Sequence, residues 1–520
     1  MVGKFTGFNQ QSDSLFILIK SLTKSEKRQF NLYIGRLGGN ADAKFFALFK
    51  FLEKQKKYDE KVILASKIVS KQQLSNLKAH LYRQILISLR LNPAHKNIRI
   101  QIREQLDFAT VLYQKGLYKQ SLKLLEKAKN MAVENEEKNI AYEIVEFEKI
   151  IESQYITISI NTRADELVVQ AKELSRANVL TSKLSNLSLQ SYSMLLENGY
   201  VKNDAELKMV NTYFNDKLPR YDFKELDFRE KLWLYKAHLW HSFLTQDFLK
   251  SFKYAVNLES LFKSQPKYIS IHPVFYLKGK NYLLESCFLV KHLSRLKNEL
   301  DMFEEEVANK TIPQDGNTEI LTFLYLYKNK LHYHFLEGSF AEGEYLVKVI
   351  EEKITMYLDR LDGHHIVMMY YKIACLYFGM EKNKECIFYL NKIINSKKLS
   401  VAEDLQCFAR ILSLIAHYEC GLDYDLERQF KDTYRFLIKM ENLQEVQKEF
   451  ILAIKNIQDV FPYQIKNEFK KIYDRLKVYE HHPYEKRAFL YLDILSWLEC
   501  KIENKSVATI IKEKNKKILR

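Results

Sequence analysis

The stretch VLYQKGLYKQSLKLLEKAKN, residues 111–130, contains a glycine and a tyrosine two residues apart within an otherwise helical pattern. Gly116 can end a helix by taking a left-handed conformation, which residues with a side chain adopt only at a cost. Tyr118 then opens a second helix, whose inner side carries the small residues Ser121 and Ala128. Small residues on that side let two antiparallel helices pack closely. The stretch therefore predicts a pair of helices joined by a tight turn.

The same pattern recurs along the chain. Similar segments are residues 237–262, where Gln246 takes the place of the glycine, and residues 331–350, 372–395 and 415–430. The last three turns, near residues 338, 381 and 421, are 43 and 40 residues apart. This pattern resembles the tetratricopeptide repeat (TPR), whose strict units are ~34 residues long. The resemblance covers about residues 98–460, in degenerate units of about 34–43 residues.

The resemblance implies an all-α fold. We expect a right-handed superhelical stack of antiparallel helix pairs, a TPR-like α-solenoid, with an N-terminal helical cap domain. Composition agrees, because Gly and Pro number only 14 and 7 among 520 residues. Strand-and-turn proteins need these two residue types at their hairpins.

The positions of the breaks predict four segments. They are a basic N-terminal helical domain at 1–93, TPR-like repeats at 94–310 and at 311–461, and a C-terminal helical cap with a basic tail at 462–520. Inside the first segment, Thr23 and Glu26 have the spacing of a capping box. Gly38-Gly39-Asn40 is expected to end the helix that follows. Ser70 and Gln73 are expected to cap the next long helix, which ends at Asn92-Pro93.

Charge is concentrated at the N-terminal end. Residues 1–130 carry 25 Lys/Arg against 9 Asp/Glu, and no acidic residue lies between Glu60 and Glu104. A basic helix side that also carries amide groups can contact phosphates or base edges. The candidate polyanion-binding residues are Gln72, Asn76, Lys78, Arg83, Arg90, Lys96 and Arg99. The alternative interpretation of this stretch is a solvated helix side or a protein-docking surface.

The repeat resemblance also implies a binding groove built from the first helix of each pair. By analogy with the family, the candidate groove residues are Arg103, Thr110 and Tyr113 in one unit, and Trp233, Lys236, Trp240 and Phe243 in another. Some members of the second set are expected to lie in the core instead.

The motifs of enzymes are absent from the sequence. There is no glycine-rich phosphate loop and no G-x-S-x-G elbow. We therefore expect no catalysis, no cofactor and no bound metal, and, without a targeting or membrane-spanning stretch, a cytoplasmic protein. The resemblance implies a non-enzymatic scaffold or adaptor for a protein or peptide partner. The alternative is a nucleic-acid- or ribosome-associated regulator that uses residues 61–103, with the repeats as sensor or docking module.

Overall fold

The computed structural model describes residues 13–36, 43–92, 97–154, 162–395, 403–421, 423–438, 445–449, 464–486 and 493–518, together with 452 and 489. Within these ranges the chain forms helices joined by short turns, and no strand is present. The prediction of an all-α, solenoid-like fold is thereby confirmed. The right-handed superhelix and the membership of the TPR family stay predictions.

The chain divides into two compact units, Met1–Ala171 and Lys172–Arg520. The four segments predicted from the breaks at residues 93, 310 and 461 stay sequence-based predictions. The first unit contains α1 (Ser14–Ser21), α2 (Lys24–Arg36), α3 (Ala43–Lys54), α4 (Glu60–Ala65), α5 (Lys71–Arg90), α6 (Ile98–Gln114), α7 (Tyr118–Glu134) and α8 (Lys138–Gln154). The next helix, α9 (Arg163–Asn198), crosses the division.

The second unit continues with α10 (Asp204–Lys217), a 3-10 turn (Phe223–Glu225), α11 (Phe228–Leu244), α12 (Phe248–Ser264), α13 (Lys267–Ile271), α14 (Pro273–Leu289), α15 (Leu293–Ala308) and α16 (Gly316–Glu337). It then contains α17 (Tyr345–Met356), α18 (Gly363–Gly379), α19 (Asn383–Ile394), α20 (Glu403–Glu419) and α21 (Asp423–Ile438). The last helices are α22 (Ile465–Lys477), α23 (Ile494–Glu503) and α24 (Val507–Ile518).

The N-terminal helices α1, α2 and α3 pack on α5 around an apolar core. The predicted capping box is present, since Thr23 N donates to Glu26 Oε2 at 2.7 Å and Glu26 N donates to Thr23 Oγ1 at 3.2 Å. Ser70 is the N-cap residue of α5, but its side chain makes no capping hydrogen bond, so that part of the prediction is wrong. Instead, Gln73 N donates to the Ser70 carbonyl oxygen. Gly38-Gly39-Asn40 and Pro93 lie outside the described residues.

The helix pair predicted from residues 111–130 is α6 and α7. Gly116 has φ +74°, and Leu117 N donates to the Leu112 carbonyl oxygen at 2.9 Å, which closes the end of α6. On the inner side of α7, Ser121 Oγ donates to the Ala109 carbonyl oxygen at 2.8 Å. Ala109 and Ala128 are fully buried. The small residues therefore do allow the close packing that the sequence predicted.

The same left-handed turn recurs through the second unit at positions 246, 291, 338, 381 and 421, which are 45, 47, 43 and 40 residues apart. Gln246, with φ +56°, replaces glycine as predicted. The first helices of successive pairs lie side by side, because α14 packs on α16, α16 on α18, and α18 on α20. We call α11, α14, α16, α18 and α20 the inner helices.

Residues 464–486 and 493–518, which we call the C-terminal return, fold back onto earlier helices of the second unit. Gln246 Nε2 donates to the Tyr484 carbonyl oxygen at 3.1 Å and to the Val201 carbonyl oxygen at 3.0 Å. The Tyr484 hydroxyl hydrogen-bonds to Asp204. Asn515 Nδ2 donates to the Leu336 carbonyl oxygen at 2.5 Å. The segment predicted as a terminal cap thus also contacts helices near the start of this unit.

Candidate functional site

The predicted polyanion-binding residues of α5 lie mostly on its outer side. Gln72, Asn76, Arg83 and Arg90 are exposed, whereas the opposite side buries Leu74, Leu81 and Ile85. These four candidate residues therefore share the exposed side of α5. Lys78 differs, because it lies four residues after Leu74 and three before Leu81, and therefore on the side that faces the core.

Several of these cations have acidic or aromatic partners within the first unit. Lys78 pairs with Asp13, and its Nζ donates to the Tyr58 hydroxyl at 3.0 Å. Arg90 pairs with Asp107, and Arg99 Nη1 lies 3.6 Å from Glu137 Oε2. In the described part of the chain, the exposed Arg83 makes no ion pair, and Lys96 lies outside that part. The positive field is thus weaker than the count of basic residues indicates.

The first set of predicted groove residues belongs to α6. Arg103 Nη1 lies 3.6 Å from Glu143 Oε2 on α8. The Tyr113 hydroxyl donates to Gln154 Oε1 at 2.8 Å. Thr110 Oγ1 donates to the carbonyl oxygen of Leu106 in its own helix at 2.8 Å. Two of the three side chains therefore connect α6 to α8, and their role in a groove stays a prediction.

The second set of predicted groove residues belongs to α11, and its four side chains lie in two different environments. Lys236 is buried, with its Nζ 4.1 Å from the centroid of the Trp233 ring and 5.1 Å from that of Phe275. Burial, followed by the charge of Lys278, lowers the pKa of Lys236 to about 7. Trp233 and Lys236 thus form a cation–π cluster within the helix packing.

Trp240 and Phe243 line a cavity of about 170 Å³ between the inner helices. We call it the aromatic cavity. Its lining comes from α9, from the turn after it, from the start of α12 and from all five inner helices, and includes Tyr282, Phe288, Phe335, Met368 and Tyr371. On α11, α14, α16 and α18 the lining residues follow a spacing that places them on one side of each helix, whereas α20 contributes Leu405 alone.

Contacts between aromatic rings hold together the side chains that form the wall of the aromatic cavity. The Trp240 ring centroid lies 4.6 Å from that of Tyr192 and 5.4 Å from that of Tyr282. Phe288 and His332 are stacked, with centroids 4.0 Å apart and planes inclined by 14°. Such pairs favour fixed relative positions beyond what apolar burial alone provides. These ring contacts fix the relative positions of the side chains in the wall.

A carboxylate, two lysines and an imidazole lie in this wall. Lys328 Nζ donates to Glu285 Oε2 at 3.0 Å. Lys372 Nζ lies 2.5 Å from His332 Nε2, while His332 Nδ1 is buried and has no hydrogen-bond partner. The two lysines outnumber the one carboxylate, so the cavity carries one net positive charge when both are protonated.

Burial changes the protonation of this pair. Burial, and then the charges of Lys372 and Lys328, hold the pKa of His332 well below its ordinary value, so the imidazole is neutral. Burial, and then the charge of Lys328, lowers the pKa of Lys372 to about 8, although Cys375 and Glu285 act in the opposite direction. Lys372 is thus still largely protonated near pH 7 and donates to the neutral His332 Nε2.

The one thiol in the lining is not activated. Burial raises the pKa of Cys375 to about 12, and a thiol rather than a thiolate is a poor nucleophile and metal ligand. The arrangement can bind and orient a ligand through apolar contact, one cation and one imidazole donor.

The sequence prediction missed Glu285, Lys328, His332 and Lys372. A signal for the two lysines does exist. Lys372 is the one cation inside the apolar stretch 366–379 of α18, and Lys328 directly follows the largely apolar run 320–327 of α16. Such a residue is buried with its neighbours and then needs a polar partner. The sequence does not show that the two lysines converge.

Every helix among the described residues is too short or too polar to cross a lipid bilayer. No family model matches the sequence, and no curated protein or solved structure is significantly similar to it.

Proposed function

We propose that the chain is a non-enzymatic binding protein whose second unit holds a protein or peptide partner at the inner helices. One observation carries this proposal: Trp240 and Phe243, two of the predicted groove residues, lie in the wall of the aromatic cavity. Binding sites are typically concave and apolar, with a few fixed polar groups. Aromatic side chains in such a pocket contribute much of the affinity for a partner.

The thiol and the Lys328–Glu285 pair of the wall support binding rather than chemistry. Lys328 is neutralised by Glu285, and Cys375 stays protonated because burial raises its pKa to about 12. An activated nucleophile needs an adjacent base or a lowered pKa. The cavity thus supplies an anchoring pocket for an apolar side chain of the partner.

Filling the cavity should abolish capture of the partner. Met368, a half-buried lining residue, is replaced by Trp, whose larger side chain occupies the space that the partner needs. We expect at least a tenfold loss of the protein captured from a nuclease-treated lysate of the source cells. The matched control is Phe388→Trp on α19, because Phe388 is 56% exposed and does not line the cavity. Equal capture by both variants would contradict the proposal.

A second candidate function is binding of nucleic acid by the first unit. The observation that favours it is the outer side of α5, where Gln72, Asn76 and Arg83 are all exposed and Arg83 makes no ion pair with any described residue. A cation without a local carboxylate is free to contact a phosphate. Its neighbours Arg90 and Arg99 would first have to leave their acidic partners.

If α5 contacts phosphates, Arg83→Ala should flatten the salt dependence of nucleic-acid binding. Each lost phosphate contact changes the log–log slope by about 0.9 on duplex DNA. Arg90→Ala should have the smaller effect, because Asp107 already neutralises Arg90. Filter binding to duplex DNA, single-stranded DNA and RNA at several salt concentrations measures the slope. Lys348→Ala, on the exposed side of α17 in the second unit, is the control. Absence of binding to all three at low salt eliminates this function.

A further inference from the structure

We propose that the aromatic cavity is a binding site for a small carboxylic acid that carries a single aromatic ring. The proposal rests on the proposed function only in treating the cavity as a binding site. It adds the chemical class of a free ligand, and it does not require a protein partner.

Size and lining indicate the ring. An engineered apolar cavity of about 150 Å³ takes up benzene, and the aromatic cavity has a comparable volume of about 170 Å³. Its wall contains Trp240, Tyr282 and Phe288, with ring centroids of Trp240 and Tyr282 5.4 Å apart and nearly perpendicular planes. Edge and face positions for a further ring are therefore present on the same wall.

The uncompensated charge of Lys372 indicates the carboxylate. Among the described residues, Lys372 makes no ion pair, and its close partner is the neutral imidazole of His332. Glu285, the acidic residue of the lining, is held by Lys328 at 3.0 Å. A buried charge is stable only when it is paired and hydrogen-bonded. A ligand carboxylate next to Lys372 supplies the missing counter-charge.

His332 provides a second, independent indication of a polar ligand. It is 3% exposed, and its Nδ1 has no hydrogen-bond partner. Because Nε2 accepts from Lys372, Nδ1 carries the proton of the neutral ring. A buried donor without an acceptor costs free energy that a bound acceptor recovers.

Proton uptake should accompany binding. The groups that face Lys372 are Lys328 and His332 on α16, Glu285 on α14, and Tyr371 and Cys375 on its own helix. Burial and the charge of Lys328 lower the pKa of Lys372 to about 8. The carboxylate of a bound ligand next to Lys372 raises that pKa. Binding at pH 8 should therefore take up a fraction of a proton. Affinity should be constant below about pH 7 and fall above pH 8, as the unliganded lysine loses its proton.

The test uses phenylacetate, phenylacetamide and the full-length chain. Tryptophan fluorescence follows binding, because Trp240 lines the cavity, and calorimetry in buffers of different ionisation heat measures the proton uptake. We expect phenylacetate to bind at least tenfold more tightly than the isosteric neutral amide. Lys372→Met should abolish this preference for the acid. Lys348→Met should preserve it, because Lys348 is exposed and lies outside the cavity. Circular dichroism checks that each variant is folded.

Three results would overturn the proposal. They are no saturation by phenylacetate up to about 10 mM, equal affinity for acid and amide in the unmodified chain, and binding only of a peptide that ends in a free Phe carboxylate. The unmodified chain alone decides the first two, so they do not depend on how Lys372→Met folds.

The variant Met368→Trp separates this proposal from the proposed function. If phenylacetate binds the unmodified chain but capture of the partner survives Met368→Trp, the proposed function fails and the acid site stands. If phenylacetate does not bind but capture is lost in Met368→Trp, the acid site fails and the proposed function stands.

Discussion

Replacing Lys280 with Met should lower the free energy of unfolding of the second unit by about 3–5 kcal/mol. The Lys280 side chain is fully buried, and its Nζ lies 3.2 Å from Glu259 Oε1, 3.3 Å from Glu299 Oε2 and 3.6 Å from Glu306 Oε1. Methionine fills a similar volume but leaves these carboxylates without their central cation. Urea denaturation followed by circular dichroism at pH 7 measures the loss.

The pH dependence of this variant gives a further check on the cause. Without Lys280 the buried carboxyls should have pKa values raised above those of the unfolded chain, as burial already raises the pKa of Glu299. A carboxyl with a raised folded-state pKa loses stability as pH rises, so the penalty should be smaller at pH 5 than at pH 7. Lys382→Met is the control, because its pair with Glu344 is about two-fifths exposed on both sides. That change should cost at most about 1 kcal/mol. If the two substitutions lower the free energy of unfolding by the same amount, Lys280 does not stabilise the buried carboxylates more than an exposed ion pair would.

Gly379→Ala should destabilise the second unit by about 1–3 kcal/mol. An alanine Cβ at this position, the last of α18, would lie 2.3 Å from Cδ1 and 2.5 Å from Cγ of the Phe340 ring. Phe340 is buried and packs against Phe335, so it cannot move away without disturbing the core. The midpoint of thermal or urea denaturation measures the effect.

A second substitution identifies the clash as the cause. Phe340→Leu in the Gly379→Ala background should cost less than the sum of the two single changes, because the smaller side chain vacates the space. Gly35→Ala is the matched control: nothing lies within 4 Å of its added Cβ, and alanine is the better helix former by about 1 kcal/mol. An unchanged unfolding midpoint in Gly379→Ala would show that the end of α18 does not pack closely on Phe340.

The sequence predicted the helix pairs because their turns are local. Gly116, Gly338 and Gly421 adopt the left-handed conformation that the pattern required, and Gln246 does so without being glycine. The turn near residue 381 was also predicted, although its left-handed residue is Glu381. The left-handed position at Lys291 was not predicted, since lysine gives no turn signal.

The site was only partly predictable for a different reason. Helix α11 is buried around most of its circumference, so its sequence does not distinguish the side of Trp233 from that of Trp240. Lys372 and His332 are 40 residues apart in sequence and meet only because α16 and α18 pack side by side. Lys78, by contrast, could have been placed correctly, because its spacing from Leu74 and Leu81 puts it on the buried side of α5.

The C-terminal return has a consequence for the order of assembly during synthesis. Helix pairs of a solenoid contact their neighbours in sequence and can form as they leave the ribosome. The hydrogen bonds of the return instead span 179, 238 and 280 residues. At about 5–20 residues per second, translation of 238 residues takes about 12–48 s. Throughout that interval the Gln246 side chain of an emerging chain lacks Tyr484, so the second unit is completed only after translation has passed that residue.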